Sequence, residues 1–236
     1  MAILEDDQRN KQWVTTEPWP QLVNRDTVDP ATGDNGARWV LVGTGGFLNN
    51  GDLRSNETTH TIYAIKDGGE KKTSDFENKT RSDWTAITGA NVSGRLDADA
   101  EGWYEDMANG YHVNVRPVTS FGMMVYGANK YIGALPSGEG DMVDLCDSAA
   151  FEGRLFSRYI ESGATALSGK HFNAITGGIT DIAVVKTADG KIKFMASKAN
   201  GSGAELSPDE PDQPKVAAPD EPPEDVQRYS VRYIAP

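Results

Sequence analysis

The stretch Trp39-Val40-Leu41-Val42-Gly43-Thr44-Gly45 carries the clearest secondary-structure signal in the chain. Its apolar, β-branched and aromatic residues run without a break and end at glycines, a pattern typical of a buried β-strand. A second run of this kind is Thr61-Ile62-Tyr63-Ala64-Ile65-Lys66-Asp67. The pattern predicts a hairpin between residues 20–23 and 39–43, with 61–67 as the next strand and a Trp-containing segment, 102–106, after it.

The same order of strands returns twice downstream. In each round, two strands form a hairpin and a long loop leads to a third strand. The predicted strands are 113–118, 123–126 and 154–160 in the second round, and 180–186, 191–195 and 228–234 in the third. The second strands are about 83 and 69 residues apart, counted from Val42 to Val125 to Phe194.

Units of about four short strands in a repeated order are typical of β-propeller blades. A sandwich of two sheets fits the number of strands but does not predict the repeated order. We therefore predict an all-β fold with about three four-stranded blades. Because a closed propeller has about four to eight blades, the chain is predicted to be part of a larger propeller.

Composition excludes two classes of partner. The 236 residues include 23 Lys and Arg against 35 Asp and Glu, which gives a net charge of −12. Binding to nucleic acid requires a basic face that displaces counterions, and an anionic membrane surface repels an acidic protein. No apolar run is long enough to span a bilayer. We therefore predict no nucleic-acid partner and no membrane span.

A proline-rich acidic segment divides the chain. Residues 204–225 contain six prolines, eight acids and one lysine, so much of the net negative charge lies there. Such a segment has too little apolar surface to offset its loss of conformational entropy on ordering, and an extended, solvated loop is predicted. The predicted organisation is blades over residues 1–203, the insert over 204–225, and a C-terminal strand over 226–236 that returns to the propeller.

The start of the chain and its single cysteine leave the compartment open. Residues 1–7 have neither a basic region nor an apolar run, so they are not predicted to be a signal peptide. Either the protein is cytoplasmic, or the chain is a mature piece whose signal lies upstream. Cys146 has no intramolecular partner, and no positioned base marks it as a nucleophile. We interpret it as an ordinary thiol or as half of a disulfide with another chain.

Several patterns that suggest chemistry lack the rest of their motif. Gly43-Thr44-Gly45 follows a strand, but no helix start or Lys-Ser/Thr pair follows it, so its glycines are predicted to let backbones approach each other. The three histidines, His60, His112 and His171, are far apart in sequence, and no zinc site is predicted.

The acidic residues do not form a calcium loop. Asp26, Asp29 and Asp34 lack alternate spacing, and Asp97, Asp99 and Glu101 lack the remainder of such a loop. These residues are interpreted as solvated turns. No Ser, His and Asp residues fall into a catalytic order. No catalytic, cofactor-binding or metal-ligating residue is predicted, and the chain is predicted not to be an enzyme.

A set of motifs over roughly residues 38–195 resembles the PilY1/PilC family of type IV pilus-associated proteins. The runs that carry the resemblance are Trp39–Leu48, Asp52-Leu53, Thr59–Asp67, Gly102–Asp106, His112–Pro117, Asp144-Leu145-Cys146 and Gly153–Phe156. The resemblance implies the last part of a modified seven-bladed propeller. Some family members bind calcium in a D-x-D-x-D-G-x-x-D loop, which this chain lacks, so calcium regulation is not carried over.

The resemblance also implies a function: a non-enzymatic pilus-tip protein that supports pilus assembly and adhesion. Its location would be extracellular or at the cell surface, at the pilus tip or outer membrane, after export through the periplasm. The implied partners are major or minor pilins, the N-terminal remainder of the same protein, and a host or abiotic surface. Candidate aromatic residues for an adhesive surface are Trp84, Trp103, Tyr104 and Tyr131, for which packing between blades is the favoured alternative.

Two other functions remain open from the sequence. Some propellers are quinone-dependent dehydrogenases with tryptophan-rich docking motifs, and the region of Trp103 gives slight support to such an enzyme. The other alternative is a scaffold subunit that completes the propeller of another chain.

Overall fold

The computed structural model describes twelve stretches of the chain. They are residues 4–6, 8–23, 37–47, 52–53, 58–67, 79–89, 100–108, 110–120, 122–134, 150–167, 170–186 and 192–206. These residues form mainly β-strands, and their few helical residues include 52–53 and a short 3-10 turn, Arg81–Asp83. Within the described residues, no helix has the length and apolar character needed to cross a membrane.

The strands form three sheets in chain order. The twelve strands are β1 Trp19–Val23, β2 Ala37–Gly43, β3 Thr61–Asp67, β4 Thr85–Ala86, β5 Gly102–Asp106, β6 Val118–Ser120, β7 Met123–Tyr131, β8 Phe151–Tyr159, β9 Asn173–Thr176, β10 Ile179–Lys186, β11 Ile192–Lys198 and β12 Gly203–Leu206. The first sheet has the order β1-β2-β3-β5-β4, the second β6-β7-β8-β9, and the third β10-β11-β12. Every pairing is antiparallel except that of β4 with β5.

The predicted all-β class is confirmed, and the described strands form three successive sheets of five, four and three strands. The predicted pairing of 113–118 with 123–126 is wrong in extent, because only Val118–Ser120 forms a strand against β7. Pro117 has no N–H to donate to a ladder, so the strand begins after it. The third strand of the third sheet is β12, which takes in residues 204–206 of the predicted insert. The predicted strand 228–234 and the rest of the insert lie outside the described residues.

The first and second sheets pack face to face. Alternation along each strand places every second side chain in this seam. The residues that meet there include Leu41, Ile62, Ala64 and Trp103 from the first sheet, and Met124, Tyr126, Ala128 and Phe156 from the second. All are buried, and Tyr126 stacks on Phe156 with ring centroids 4.8 Å apart. Full burial of one large apolar side chain is worth about 1.5–3 kcal/mol, so this seam is a major source of stability.

The opposite face of the second sheet packs on the third. Val125 and Leu155 meet Ile182 and Phe194 in a second apolar cluster. A buried amide joins the same two sheets: Asn129 Nδ2 donates to the Ile179 carbonyl at 2.8 Å, and the Ile179 N–H donates to Asn129 Oδ1 at 2.7 Å. The second sheet is therefore covered on both faces.

The two ends of this stack differ. The far face of the first sheet is covered by residues 4–6 and 8–16: Gln12 Nε2 donates to the Thr59 carbonyl at 2.6 Å, and the Tyr63 hydroxyl donates to the Glu5 carbonyl at 2.8 Å. Tyr63 is consequently buried. On the far face of the third sheet, Val185 remains 41% exposed. The stack is capped by its own chain at the first sheet, whereas the third sheet keeps an accessible face.

Candidate functional site

A buried charged cluster joins the first and second sheets. β5 places Glu105 in the seam, and β8 places Arg158 opposite it, with side chains 1% and 0% exposed. Arg158 Nε donates to Glu105 Oε2 at 2.9 Å, and Arg158 Nη2 donates to Glu105 Oε1 at 2.5 Å. This two-point geometry suits the planar guanidinium, which presents its donors in a fixed fork.

Other groups complete the cluster. The Tyr126 hydroxyl donates to Glu105 Oε2, and His171 Nε2 contacts Glu105 Oε1. The remaining Arg158 donors reach backbone carbonyls, with Nη1 on Gly163 at 2.9 Å and Nη2 on Gly89 at 3.0 Å. The Arg158 guanidinium therefore donates hydrogen bonds to one carboxylate and to two backbone carbonyls.

The electrostatics of the cluster stabilise its charges. Burial by itself raises the pKa of Glu105, but the hydrogen bond with His171 and the charge of Arg158 hold that pKa below its ordinary value. Burial, with the neighbouring Glu105 charge, holds the pKa of Tyr126 well above its ordinary value. Glu105 is thus a carboxylate and Tyr126 a neutral phenol at neutral pH.

This arrangement suits a clamp better than a catalyst. A carboxylate offers about four acceptor positions, and those of Glu105 are taken by two Arg158 nitrogens, Tyr126 and His171. No acceptor position is left on Glu105 for a substrate proton. His171, whose side chain is 32% exposed, lies edge-on to Phe156 with ring centroids 5.3 Å apart. The cluster holds the two sheets in register.

The fold also brings two histidines together. The rings of His60 and His112 lie with their centroids 4.0 Å apart, and the Phe47 ring centroid lies 4.3 Å from that of His112. These two histidines are therefore neighbours in the fold although they are far apart in sequence. His60 precedes β3, whereas His112 bridges to Asn129 of β7, so their proximity arises from sheet packing. No sequence spacing signals a contact of that kind.

The glycines of Gly43-Thr44-Gly45 have a packing role. A Cβ at Gly43 would lie 2.5 Å from Val113 Cγ1, and one at Gly45 would lie 2.6 Å from His60 Cγ. Gly45 also has a φ of +93°, a conformation that favours glycine. The prediction that these glycines let backbones approach each other is confirmed at Gly43, where a Cβ would also lie 2.8 Å from the Val113 carbonyl oxygen, whereas Gly45 makes room for the His60 ring.

The candidate adhesive aromatics lie mostly inside the protein. Trp103 and Trp84 are 0% and 5% exposed, which agrees with the favoured packing alternative and not with an adhesive surface. Tyr104 and Tyr131 are half-buried. Sequence reasoning missed Trp13, which is 80% exposed on the segment that covers the first sheet.

The remaining sequence candidates fall largely outside the described residues. These are Asp26, Asp29, Asp34, Asp97, Asp99 and Cys146. Within the part of the chain that the structure describes, no group of three or more His, Cys, Asp or Glu residues is placed to hold a metal ion.

Comparison of the chain with protein-family models and with curated proteins gives no match. The sheet packing, the buried cluster and the resemblance of the sequence motifs are therefore the basis for a functional proposal.

Proposed function

We propose that the chain is a non-enzymatic part of a type IV pilus tip protein, in which its three sheets are consecutive blades of a larger propeller. The observation that carries this proposal is where the PilY1-like motifs lie in the fold. Gly43 and Gly45 permit close packing, and Trp103, Leu155 and Phe156 are buried in the two seams. Because these motif residues have packing roles, they support a resemblance to the PilY1/PilC family in fold and not in a catalytic site.

The charged cluster supports a non-enzymatic role. Its carboxylate has every acceptor position occupied, and its arginine reaches carbonyls on two loops. A group held in this way stiffens a sheet stack. Stiffness suits a protein that transmits load between a pilus and a surface. Major or minor pilins and a host or abiotic surface are the proposed partners, and the proposed location is the cell surface.

A scaffold role is a variant of the same proposal. The third sheet has three described strands, whereas the second has four, and Val185 on its far face is 41% exposed. A further sheet packed there would continue the stack. The occupant would be the remainder of the same protein or, in the alternative, another chain whose propeller is completed.

Deletion of the gene tests this proposal. We expect fewer surface pili and reduced adhesion in the deletion strain, with both restored by the intact gene supplied in trans. The measurements are pilus counts by electron microscopy and the number of cells bound to a surface. Normal piliation together with normal adhesion in the deletion strain would refute the proposal.

A further inference from the structure

Three tilted rings form a cluster at the junction of three parts of the chain. Phe47 follows β2, His60 precedes β3, and His112 lies in the connection to the second sheet. Backbone hydrogen bonds fix both histidines: the Met107 N–H donates to the His60 carbonyl at 2.8 Å, and the His112 N–H donates to the Asn129 carbonyl at 2.8 Å. The positions of the two imidazoles are therefore set by both sheets.

The polar atoms of this ring cluster lack well-formed hydrogen bonds. All four ring nitrogens of His60 and His112 are buried, and none has a partner of good hydrogen-bond geometry within the described part of the chain, although the Asp52 backbone lies near enough to His112 to favour its protonated form. Buried polar atoms without partners are uncommon in native proteins. A phenyl ring would fill the same space without this cost. What imidazole adds at such a position is the capacity to take up a proton in mildly acidic solution.

We infer that the His60–His112 pair is an acid-sensitive latch, which holds residues 12–16 and the start of the second sheet against the first sheet when both rings are neutral and releases them when the rings are protonated. A protonated ring here would be a buried charge that the neighbouring Asp52 compensates only in part. Two protonated rings would bring like charges together at a centroid distance of 4.0 Å.

The surroundings of the pair favour the neutral rings. Burial lowers the pKa of His60, and the carboxylates of Asp52 and Asp6 oppose this effect without reversing it. Burial, followed by the charge of His60, lowers the pKa of His112 to about 4, and Asp52 again acts in the opposite direction. Because the folded pKa lies below that of the unfolded chain, the unfolded state binds more protons. Stability is therefore lost as the pH falls from about 6.5 toward 4.

The contacts that the latch controls lie beside the rings. The Gly45 N–H donates to the Trp13 carbonyl at 3.1 Å, and the Val113 N–H donates to the Thr44 carbonyl at 3.0 Å. The first bond holds the N-terminal segment, and the second joins the two sheets. Displacement of His60 would disturb Gly45 first, because the two residues are in direct contact.

Amide hydrogen exchange of the full chain between pH 7 and pH 4.5 tests the latch, with rates corrected for intrinsic pH dependence. We expect protection at Gly45 and Val113 to fall at least tenfold on acidification. In the His60→Phe/His112→Phe double variant, we expect protection at both amides to persist. An equal acid-induced loss in the wild type and the double variant would overturn the inference.

Two further measurements begin with the wild-type chain. Nuclear magnetic resonance titration of the imidazole C–H signals should show the pKa of His60 lowered and that of His112 lowered to about 4, and ordinary titration of both would overturn the latch. A thermal melt with Zn²⁺ should give an unchanged Tm. A Zn²⁺-dependent rise in Tm that is lost in His112→Phe would overturn the inference and assign the pair to a metal.

Discussion

Replacement of Arg158 by alanine is expected to lower the free energy of unfolding by about 3–5 kcal/mol. Arg158 is fully buried and makes two hydrogen bonds to Glu105 as well as bonds to the carbonyls of Gly163 and Gly89. Its loss leaves the Glu105 carboxylate charged and largely desolvated in the seam between the first two sheets. Urea denaturation followed by circular dichroism measures the loss.

A matched control comes from an exposed ion pair. Lys193 Nζ lies 2.7 Å from Glu205 Oε1, with side chains 35% and 44% exposed. Lys193→Ala is expected to cost less than about 1 kcal/mol, because water screens the pair. A double variant, Glu105→Leu/Arg158→Met, should be more stable than Arg158→Ala, since no buried charge is left alone. If Arg158→Ala lowers the free energy of unfolding no more than Lys193→Ala does, the buried cluster does not hold the two sheets together.

Replacement of Trp103 by alanine is expected to lower the free energy of unfolding by about 3–5 kcal/mol. Trp103 is fully buried in the seam, and its indole N–H donates to the Ile160 carbonyl at 2.6 Å. Alanine would leave a cavity between the sheets and an unpaired carbonyl. Trp103→Phe keeps much of the apolar contact, so its expected cost is smaller, at about 1–3 kcal/mol from the lost hydrogen bond.

Trp13 provides the control for this prediction. The Trp13 side chain is 80% exposed, so its removal creates no cavity. Trp13→Ala should therefore change the free energy of unfolding by no more than about 0.5 kcal/mol. Urea titrations of the three variants beside the wild type give the comparison. Equal losses for Trp103→Ala and Trp13→Ala would contradict the assignment of Trp103 to a structural seam.

The strand pattern was largely readable from the sequence because it is local. The residues of a run such as 61–67 predict a strand without reference to the rest of the chain. In the structure, strand β3 has the same bounds, Thr61–Asp67. The prediction was wrong near Pro117. Apolar alternation over residues 113–118 suggested pairing with 123–126, but Pro117 has no N–H to donate to the ladder. The short strand Asn173–Thr176 has too few residues for periodicity to reveal it.

The charged cluster and the histidine pair were not readable, because they depend on contacts between distant residues. Glu105 and Arg158 are 53 positions apart, and no motif marks either as ionic. His60 and His112 meet only because β3 and β7 belong to sheets that pack together. For the histidine pair, Gly45 was the only hint in the sequence. A glycine there implied that another group packs closely against it, but did not identify that group as the His60 ring.

Immunogold electron microscopy of intact cells, with antibodies to this chain, tests the proposed pilus-tip role most directly. We expect gold label at the free ends of surface pili and none on the deletion strain. Label confined to the cell interior, with pili unlabelled in permeabilised and intact cells alike, would contradict it.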